Sequence, residues 1–312
     1  PSSAASDVYK RQNIYLQRIL MNATTTSFIE LIDELEKEID NIRTETDSKR
    51  IKTINDLQTV MVVKERLREA ERSIENCRKA IMDENKSYDD SRKICIEELS
   101  YAKERIYSAK EWEEMYGIPS KKIEIDKSFL ENLAIEKILE GEERAEYLEA
   151  ISYGEVKAEK QRQDLEDAKN VLANDPALAL YLASKAVAEI NSLLSTIRMD
   201  EKLIPDLAKE KLRAAEIFIA NEEDKGFPFM GYSYYVYGEY LLDKSPLSSL
   251  IYAEYALEFS SMSQYFPEKE LRINTSYPVS FVVGLLVGLI IGLIIPKKKR
   301  KLKKAKKRKR RK

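Results

Sequence analysis

Apolar residues recur three and four positions apart over long stretches of this 312-residue chain, which is the spacing of one face of an α-helix. The first run is Phe28, Leu31, Ile32, Leu35, Ile39 and Ile42. A second run is Val60, Val63, Leu67, Ala70, Ile74, Cys77 and Ile81, which alternates by three and four like the heptads of a coiled coil. The pattern predicts a helix that starts near Phe28 and a long helix over residues 51–82.

A polar break at residues 84–89 separates the second run from a third one. The third run is Cys95, Leu99, Ala102, Ile106 and Ala109. Gly117 and Pro119 follow it, and a glycine with a proline after it is typical of a helix C-terminus. Two long helices joined by a short polar turn predict an antiparallel hairpin within residues 13–120.

The two cysteines lie on the seam of this predicted hairpin. Cys77 and Cys95 are each nine residues from residue 86, in the middle of the turn, so we expect them to face each other. In an extracytoplasmic compartment such a pair can form a disulfide bond. The alternative is two small buried side chains, since free cysteine is often buried. The sequence leaves both interpretations open.

Shorter helices are expected over residues 121–272. Their predicted ranges are 129–153, 155–173, 176–196, 203–220, 229–242 and 246–266. A weak internal repeat relates the segments that start at Pro176 and Pro246, 70 residues apart, because each has a leucine four residues after the proline and alanines beyond it. This offset is about twice the period of a tetratricopeptide (TPR) helix pair. The expected fold is therefore all-α, with TPR-like helical hairpins after the long hairpin.

Residues 279–295 form an uncharged apolar segment, and a basic segment follows it. Seventeen uncharged residues are close to the shortest helix that crosses a bilayer. Fourteen of the sixteen residues in 297–312 are lysine or arginine, and a basic run beside an apolar span is typical of a cytoplasmic end. We therefore expect one C-terminal transmembrane helix within 273–296 and a cytoplasmic tail over 297–312. The alternative is a buried core helix.

This orientation places the helical body outside the cytoplasm of a single-pass protein of the cell membrane, with lipid as one partner. A cytoplasmic tail-anchored protein would put the basic end outside and contradict the charge rule. Gly284, Gly288 and Gly292 form two overlapping G-x-x-x-G steps, along which two copies of the helix could pack and self-associate. The alternative is that these glycines simply face lipid.

Charge and composition narrow the functional classes. The chain has 53 basic and 54 acidic residues, and because fourteen of the basic ones lie in the tail, the part before it carries a net charge of about −15. Such a body is a poor partner for nucleic acid, which binds clustered cations. The chain has no histidine, and its two cysteines cannot form a thiolate metal site. We therefore expect no catalytic residue, no metal and no cofactor in this chain.

The most aromatic stretch is residues 226–240. Its tyrosines are Tyr232, Tyr234, Tyr235, Tyr237 and Tyr240. Five tyrosines within nine positions cannot all face one core, so we expect some hydroxyls to lie on a surface. One interpretation is a protein- or peptide-binding surface, since tyrosine provides contact area at a low entropic cost. The other is ordinary helix packing with solvated hydroxyls.

Three stretches resemble the C-terminal half of archaeal membrane-associated Lon-like serine peptidases. They are residues 105–117, residues 249–260, and the apolar span with its basic tail. The resemblance implies that an exported protease domain with a Ser/Lys dyad precedes the helical part in the whole protein. Residues 1–12, which lack a methionine and an apolar export segment, are expected to be a non-native scar at the start of a fragment.

The resemblance therefore implies a non-catalytic helical accessory and membrane-anchoring part. Such a part would hold the peptidase at the outer face of the membrane and bind substrate or partners. The alternative is a membrane-anchored helical-repeat scaffold or receptor with no enzymatic activity. The two hypotheses share every feature of this sequence and differ only in what precedes it.

Overall fold

The computed structural model of the chain describes residues 25–123, 126–222 and 227–266. These residues form nine α-helices and no strand, so the all-α prediction is confirmed for this part of the chain. The helices are α1 (Thr25–Ser48), α2 (Ile54–Met82), α3 (Tyr88–Glu113), α4 (Lys127–Ile151), α5 (Glu159–Leu172), α6 (Pro176–Thr196), α7 (Ile204–Glu222), α8 (Phe229–Leu241) and α9 (Pro246–Ser261). Short 3-10 turns precede α7 at Glu201–Leu203 and follow α9 at Met262–Tyr265.

α2 and α3 form the long antiparallel hairpin that the heptad pattern predicts. α2 begins with a capping box, in which Thr53 Oγ1 accepts a hydrogen bond from Asp56 N (3.1 Å) and Asp56 Oδ2 accepts one from Thr53 N (2.9 Å). Ser87 caps α3, and Ser91 Oγ reaches back across the turn to donate to the Ala80 carbonyl (2.6 Å). These side-chain bonds fix where the first long helix starts and where the chain reverses.

The interior shared by α1, α2 and α3 is apolar. Its buried residues include Phe28, Ile32, Leu35, Ile39 and Ile42 of α1, Val63, Leu67, Ala70 and Ile74 of α2, and Leu99, Ala102 and Ile106 of α3. Every one of these residues belongs to a run that the sequence places on one helical face. Their burial therefore follows from the period of the pattern.

α4–α9 form a second cluster around α6. α6 and α9 begin with Pro176 and Pro246 in the first turn, where a missing N–H costs no helical hydrogen bond. Helices α2, α4, α5 and α9 all pack on α6, most of which is buried. In the part of the chain that the structure describes, α6 is the one helix long and apolar enough to cross a membrane. Its burial among its neighbours is equally what a core helix shows.

α2 joins the two groups of helices. Val63 and Leu67 face α1 and α3, whereas Met61 belongs to the core around α6. At the start of α2, Ile54 N donates to the Lys121 carbonyl (3.0 Å). Next to this hydrogen bond, Thr53 and Lys122 form an isolated antiparallel bridge. The base of the hairpin is therefore fixed to the helices that follow it.

Several predictions concern residues outside the described ranges. They are the scar at 1–12, the transmembrane helix within 273–296 with its Gly284, Gly288 and Gly292, and the basic tail over 297–312. The described residues end at Phe266, whose ring centroid lies 5.6 Å from that of Phe129 in α4. The membrane-spanning segment and its tail stay predictions from the sequence.

Candidate partner-binding surface

α8 carries the tyrosine-rich segment, and two glycines let it lie close to its neighbours. A Cβ atom on Gly231 would lie 1.9 Å from Ser260 Oγ and 2.9 Å from the Ser260 backbone nitrogen, on α9. A Cβ atom on Gly238 would lie 2.8 Å from Leu212 Cδ2, on α7. Ser249 Oγ also donates to the Gly238 carbonyl (2.8 Å). The inner side of α8 is therefore seated tightly against α7 and α9.

Tyr234 lies on that inner side. Its hydroxyl oxygen is 2.8 Å from the Tyr181 hydroxyl, and its ring centroid is 5.3 Å from that of Tyr255 and 5.4 Å from that of Phe259. Burial raises the pKa of both Tyr181 and Tyr234, so both stay neutral phenols at physiological pH. Tyr234 is therefore partly buried against the core, and the five predicted tyrosines do not form one surface.

The other four tyrosines of α8 form two ring pairs. Tyr232 and Tyr235 stack with centroids 6.2 Å apart, and Tyr237 and Tyr240 stack with centroids 6.1 Å apart. Tyr232, Tyr237 and Tyr240 are 42%, 42% and 48% exposed. Rings this exposed on a well-seated helix offer apolar contact area beside hydroxyl groups. These pairs are the part of the predicted partner surface that reaches solvent.

One pair already holds a cation. Lys244 Nζ lies 3.2 Å from the ring centroid of Tyr240, which is a cation–π contact. Tyr252 of α9 meets the Tyr237 ring edge-on, with centroids 4.6 Å apart. The Tyr237–Tyr240 pair therefore packs against α9 through Tyr237, and Lys244 covers part of the Tyr240 ring.

The Tyr232–Tyr235 pair has aromatic and acidic neighbours instead. The ring centroid of Phe227 is 5.0 Å from that of Tyr232. The pKa of Tyr235 is raised by burial first, and then by its hydrogen bond to Glu239 and the negative charges of Glu239 and Glu216. Two carboxylates therefore set a negative potential at this pair.

A network of buried charges lies beside the inner face of α8. Arg66 Nη1 donates to Glu65 Oε2 (3.0 Å) and to Glu69 Oε2 (2.9 Å), and Arg105 Nη1 donates to Glu69 Oε2 (3.3 Å). Lys185 Nζ lies 3.4 Å from Glu65 Oε1. Burial raises the pKa of Glu65, whereas at Glu69 the three cations outweigh burial and lower the pKa. The network ties α2 to α3 and α6.

A second network is centred on Glu189 of α6. Its Oε1 accepts from the Tyr255 hydroxyl (2.5 Å), and its Oε2 accepts from Gln161 Nε2 (2.7 Å) and Lys160 Nζ (2.9 Å). Burial acts to raise the pKa of Glu189, but these three donors outweigh it and hold the pKa below its ordinary value. One carboxylate therefore joins α5, α6 and α9.

A third buried ion pair joins α4 to α9. Lys137 Nζ lies 2.6 Å from Glu258 Oε1 and 2.8 Å from Glu140 Oε2, and the Lys137 side chain is only 3% exposed. The ammonium group also lies 4.9 Å from the ring centroid of Tyr265. Burial acts to lower the pKa of Lys137, but the charge of Glu258 and the hydrogen bonds to both carboxylates raise it. These charged groups hold helices together.

Cys77 and Cys95 are joined by a disulfide bond. Their Cα atoms are 4.6 Å apart, and both residues are fully buried on the seam of the hairpin. The bond lies close to the turn between α2 and α3, so it closes the far end of the hairpin. Of the two interpretations that the sequence leaves open, the structure adopts the bonded one.

Comparisons with family models, with curated proteins and with solved structures found no match. Within the described ranges, no group of three or more His, Cys, Asp or Glu side chains is placed to hold a metal ion. The candidate site is the set of exposed rings on α8.

Sequence reasoning missed the buried charges that join the helices around α8. The available signal was in α6, where Lys185 and Glu189 stand four residues apart in an otherwise apolar helix. A charged residue inside an apolar run is almost always paired when it is buried. The partners, such as Arg66 of α2, are hidden because α2 carries many charges at its surface as well.

Proposed function

We propose that this chain is the helical, membrane-anchored part of an exported protein, and that its body binds a protein partner through the tyrosine pairs of α8. The observation that carries the proposal is the contrast between the two sides of one helix. The inner side, with Gly231, Tyr234 and Gly238, is locked into the core, whereas Tyr232 and Tyr240 present nearly half of their surface to solvent.

A locked helix with exposed rings is well suited to binding. Tyrosine rings are common at the centres of protein interfaces because they bury a large area and lose little side-chain entropy. A rigid helix backbone adds to this, since rings that are already in position need no ordering when the partner arrives. Pro176 and Pro246 start two similar helices, and we interpret them as TPR-like units of the kind that stack to display partner-binding surfaces.

The membrane location rests on residues 273–296 and on the basic tail that follows. The Cys77–Cys95 disulfide supports the same topology, because such bonds persist in extracytoplasmic compartments and are rare in the cytosol. We therefore propose a single-pass protein with its helical body outside the cytoplasm and residues 297–312 inside.

The resemblance to membrane-associated Lon-like peptidases makes a serine peptidase domain the partner that we favour. In this role the chain is the non-catalytic anchor that holds the peptidase at the outer face of the membrane. The alternative is a scaffold or receptor with no enzymatic activity. Sequencing the native locus upstream of Asn13 separates the two: a signal peptide followed by a Lon-type domain supports the first, and further helices alone support the second.

Site-specific photo-crosslinking tests the binding surface. A photoreactive amino acid replaces Tyr232, Tyr240 or, as a matched control, Tyr147, which is 59% exposed on α4. In membranes of cells that make the full protein, we expect positions 232 and 240 to yield an adduct of the same mass, and position 147 to yield none. Equal adducts at all three positions, or none at the two α8 positions, would contradict the proposal.

A further inference from the structure

We propose that the Tyr232–Tyr235 pair, with Phe227, Glu216 and Glu239, is a site for the ammonium or guanidinium group of a protein partner. We call these five residues the cation site. The inference rests on the proposed function and deepens it, because it states the chemistry of the partner: an exposed segment that carries lysine or arginine.

The aromatic part of the cation site is a row of three rings. The centroids of Phe227 and Tyr232 are 5.0 Å apart at an interplanar angle of 60°, and those of Tyr232 and Tyr235 are 6.2 Å apart at 30°. Phe227 is tilted against Tyr232, and both of these rings are exposed, at 38% and 42%. The face of an aromatic ring is electron-rich and attracts a cation that approaches within about 6 Å.

The acidic part of the cation site comes from two helices. Glu239 lies one turn after Tyr235 on α8, and Glu216 lies on α7. Both carboxylates act on the Tyr235 hydroxyl, since after burial they are the main causes of its raised pKa. A cation placed on these rings would therefore also be attracted by two negative charges.

The same helix shows this recognition within the chain. Lys244 Nζ lies 3.2 Å from the centroid of Tyr240, so a tyrosine of α8 already accepts an ammonium group on its face. The cation site has three aromatic rings where the Lys244 contact has one, and it also has two carboxylates. The acidic body, with a net charge of about −15 before the tail, would also steer a basic partner toward it.

The test measures the binding of two dye-labelled peptides to the full chain in detergent micelles by fluorescence anisotropy. One peptide alternates lysine with glycine, and the other has glutamine at each lysine. We expect the lysine peptide to bind in a salt-dependent manner and the glutamine peptide not to bind. Tyr232→Leu and the nearly isosteric Glu239→Gln should each weaken binding about fivefold, which is the upper range for one exposed cation–π contact and for one exposed ion pair.

Matched controls separate the cation site from general attraction to an acidic protein. Tyr147→Leu and Glu143→Gln make the same two replacements on α4, where Tyr147 is 59% exposed, and should leave the affinity unchanged. Equal binding of both peptides, or equal loss in site and control variants, overturns the inference.

The two proposals can fail separately. If photo-crosslinks form at position 232 while the peptides fail these criteria, the binding surface stands and the cationic chemistry falls. If the lysine peptide meets them while no crosslink forms at positions 232 and 240, the proposed function falls and the cation site stands as a local property of α8.

Discussion

Two regions of the molecule can be compared by what holds them together: the hairpin with α1 packed on it (α1–α3), and the cluster α4–α9, which we call the bundle. Both are helical, yet they are held together by different interactions. The hairpin has an apolar interior closed by one disulfide, and toward its tip its ion pairs lie at the surface, as in the half-exposed pair of Arg78 and Glu36. Its buried charges, such as Glu65, lie near its base, where α2 packs on α6. The bundle buries Lys137 and Glu189 with their partners. Apolar packing depends on shape and area alone, whereas buried charges require particular partners at particular distances.

The candidate site lies on the bundle, whose buried ion pairs fix the helices next to α8. Such pairs add little net stability, but breaking one by removing a single partner is costly, so packings that separate the partners are disfavoured. Lys137 and Glu189 hold α9 in this way, and α9 in turn contacts α8 closely at Gly231. This contact and the hydrogen bond between Tyr234 and Tyr181 place Tyr234 inside and leave Tyr232 outside. The hairpin is tied at its tip by Cys77 and Cys95.

The largest effect is expected from breaking a buried pair in the bundle. Lys137→Met leaves the Glu258 carboxylate buried without its cation and should lower the free energy of unfolding by about 3–5 kcal/mol. Denaturant unfolding measures it. Combining it with Glu258→Leu should restore most of the loss. Lys127→Met, which removes the exposed partner of Glu131, should cost less than about 1 kcal/mol, and an equal cost for both lysines would contradict the comparison.

The fold could be predicted largely from the sequence, because helices follow from periodicity and from their ends. The predicted range 176–196 coincides with α6, since Pro176 marks its start. The prediction for α5 began at residue 155, but the helix starts at Glu159, because Gly154 adopts a positive φ of 77° and the chain turns there.

The candidate site could be predicted only in part. That α8 has tyrosines at a surface follows from their number, but which of them face inward depends on the position of α9 and on the contact between Tyr234 and Tyr181. Neither is visible in the local pattern, because both are long-range. The pairing of Lys137 with Glu258 is hidden for the same reason, since many other carboxylates could serve equally well as the partner of a lysine in a chain that is 34% charged.

The hairpin should respond most to loss of its disulfide. Replacing Cys77 and Cys95 by alanine opens a loop with a sequence separation of 18 residues and should cost about 3 kcal/mol. Thermal unfolding with and without a reductant measures this: the parent chain should lose stability on reduction, and the double alanine variant should be insensitive. An equal response of both chains to reductant would show that the bond does not support the hairpin.

The bundle should also carry an acid-sensitive element. Because the pKa of Glu189 in the folded chain lies below its ordinary value of 4.5, its stabilisation is fully present above that value and is lost as the pH falls below it and through the lower pKa of the folded chain. Glu189→Gln should cost about 1.5–3 kcal/mol at neutral pH, the range for hydrogen bonds to a charged group, and progressively less as the pH falls below 4.5. Unfolding curves over this pH range measure the difference, and a cost independent of pH would rule out the carboxylate as its cause.

The smallest effect is expected at the outer side of α8. Tyr240→Leu removes the contact with Lys244 and should lower the free energy of unfolding by only about 0.5–1 kcal/mol. Tyr234→Phe, on the inner side, leaves the buried Tyr181 hydroxyl without its partner and should cost about 1–3 kcal/mol. Denaturant unfolding of both variants compares the two sides, and the reverse order would contradict the assignment of inner and outer faces.

The most direct test of the account is the redox state of Cys77 and Cys95 in the cell, because the proposed function requires the helical body to lie outside the cytoplasm. Cells are quenched in acid, the protein is denatured, and free thiols are tagged with a maleimide-linked polymer that slows migration in a gel. We expect no tag before reduction and two tags after it. Two tags without reduction would show that the cysteines are free, and would contradict an extracytoplasmic body.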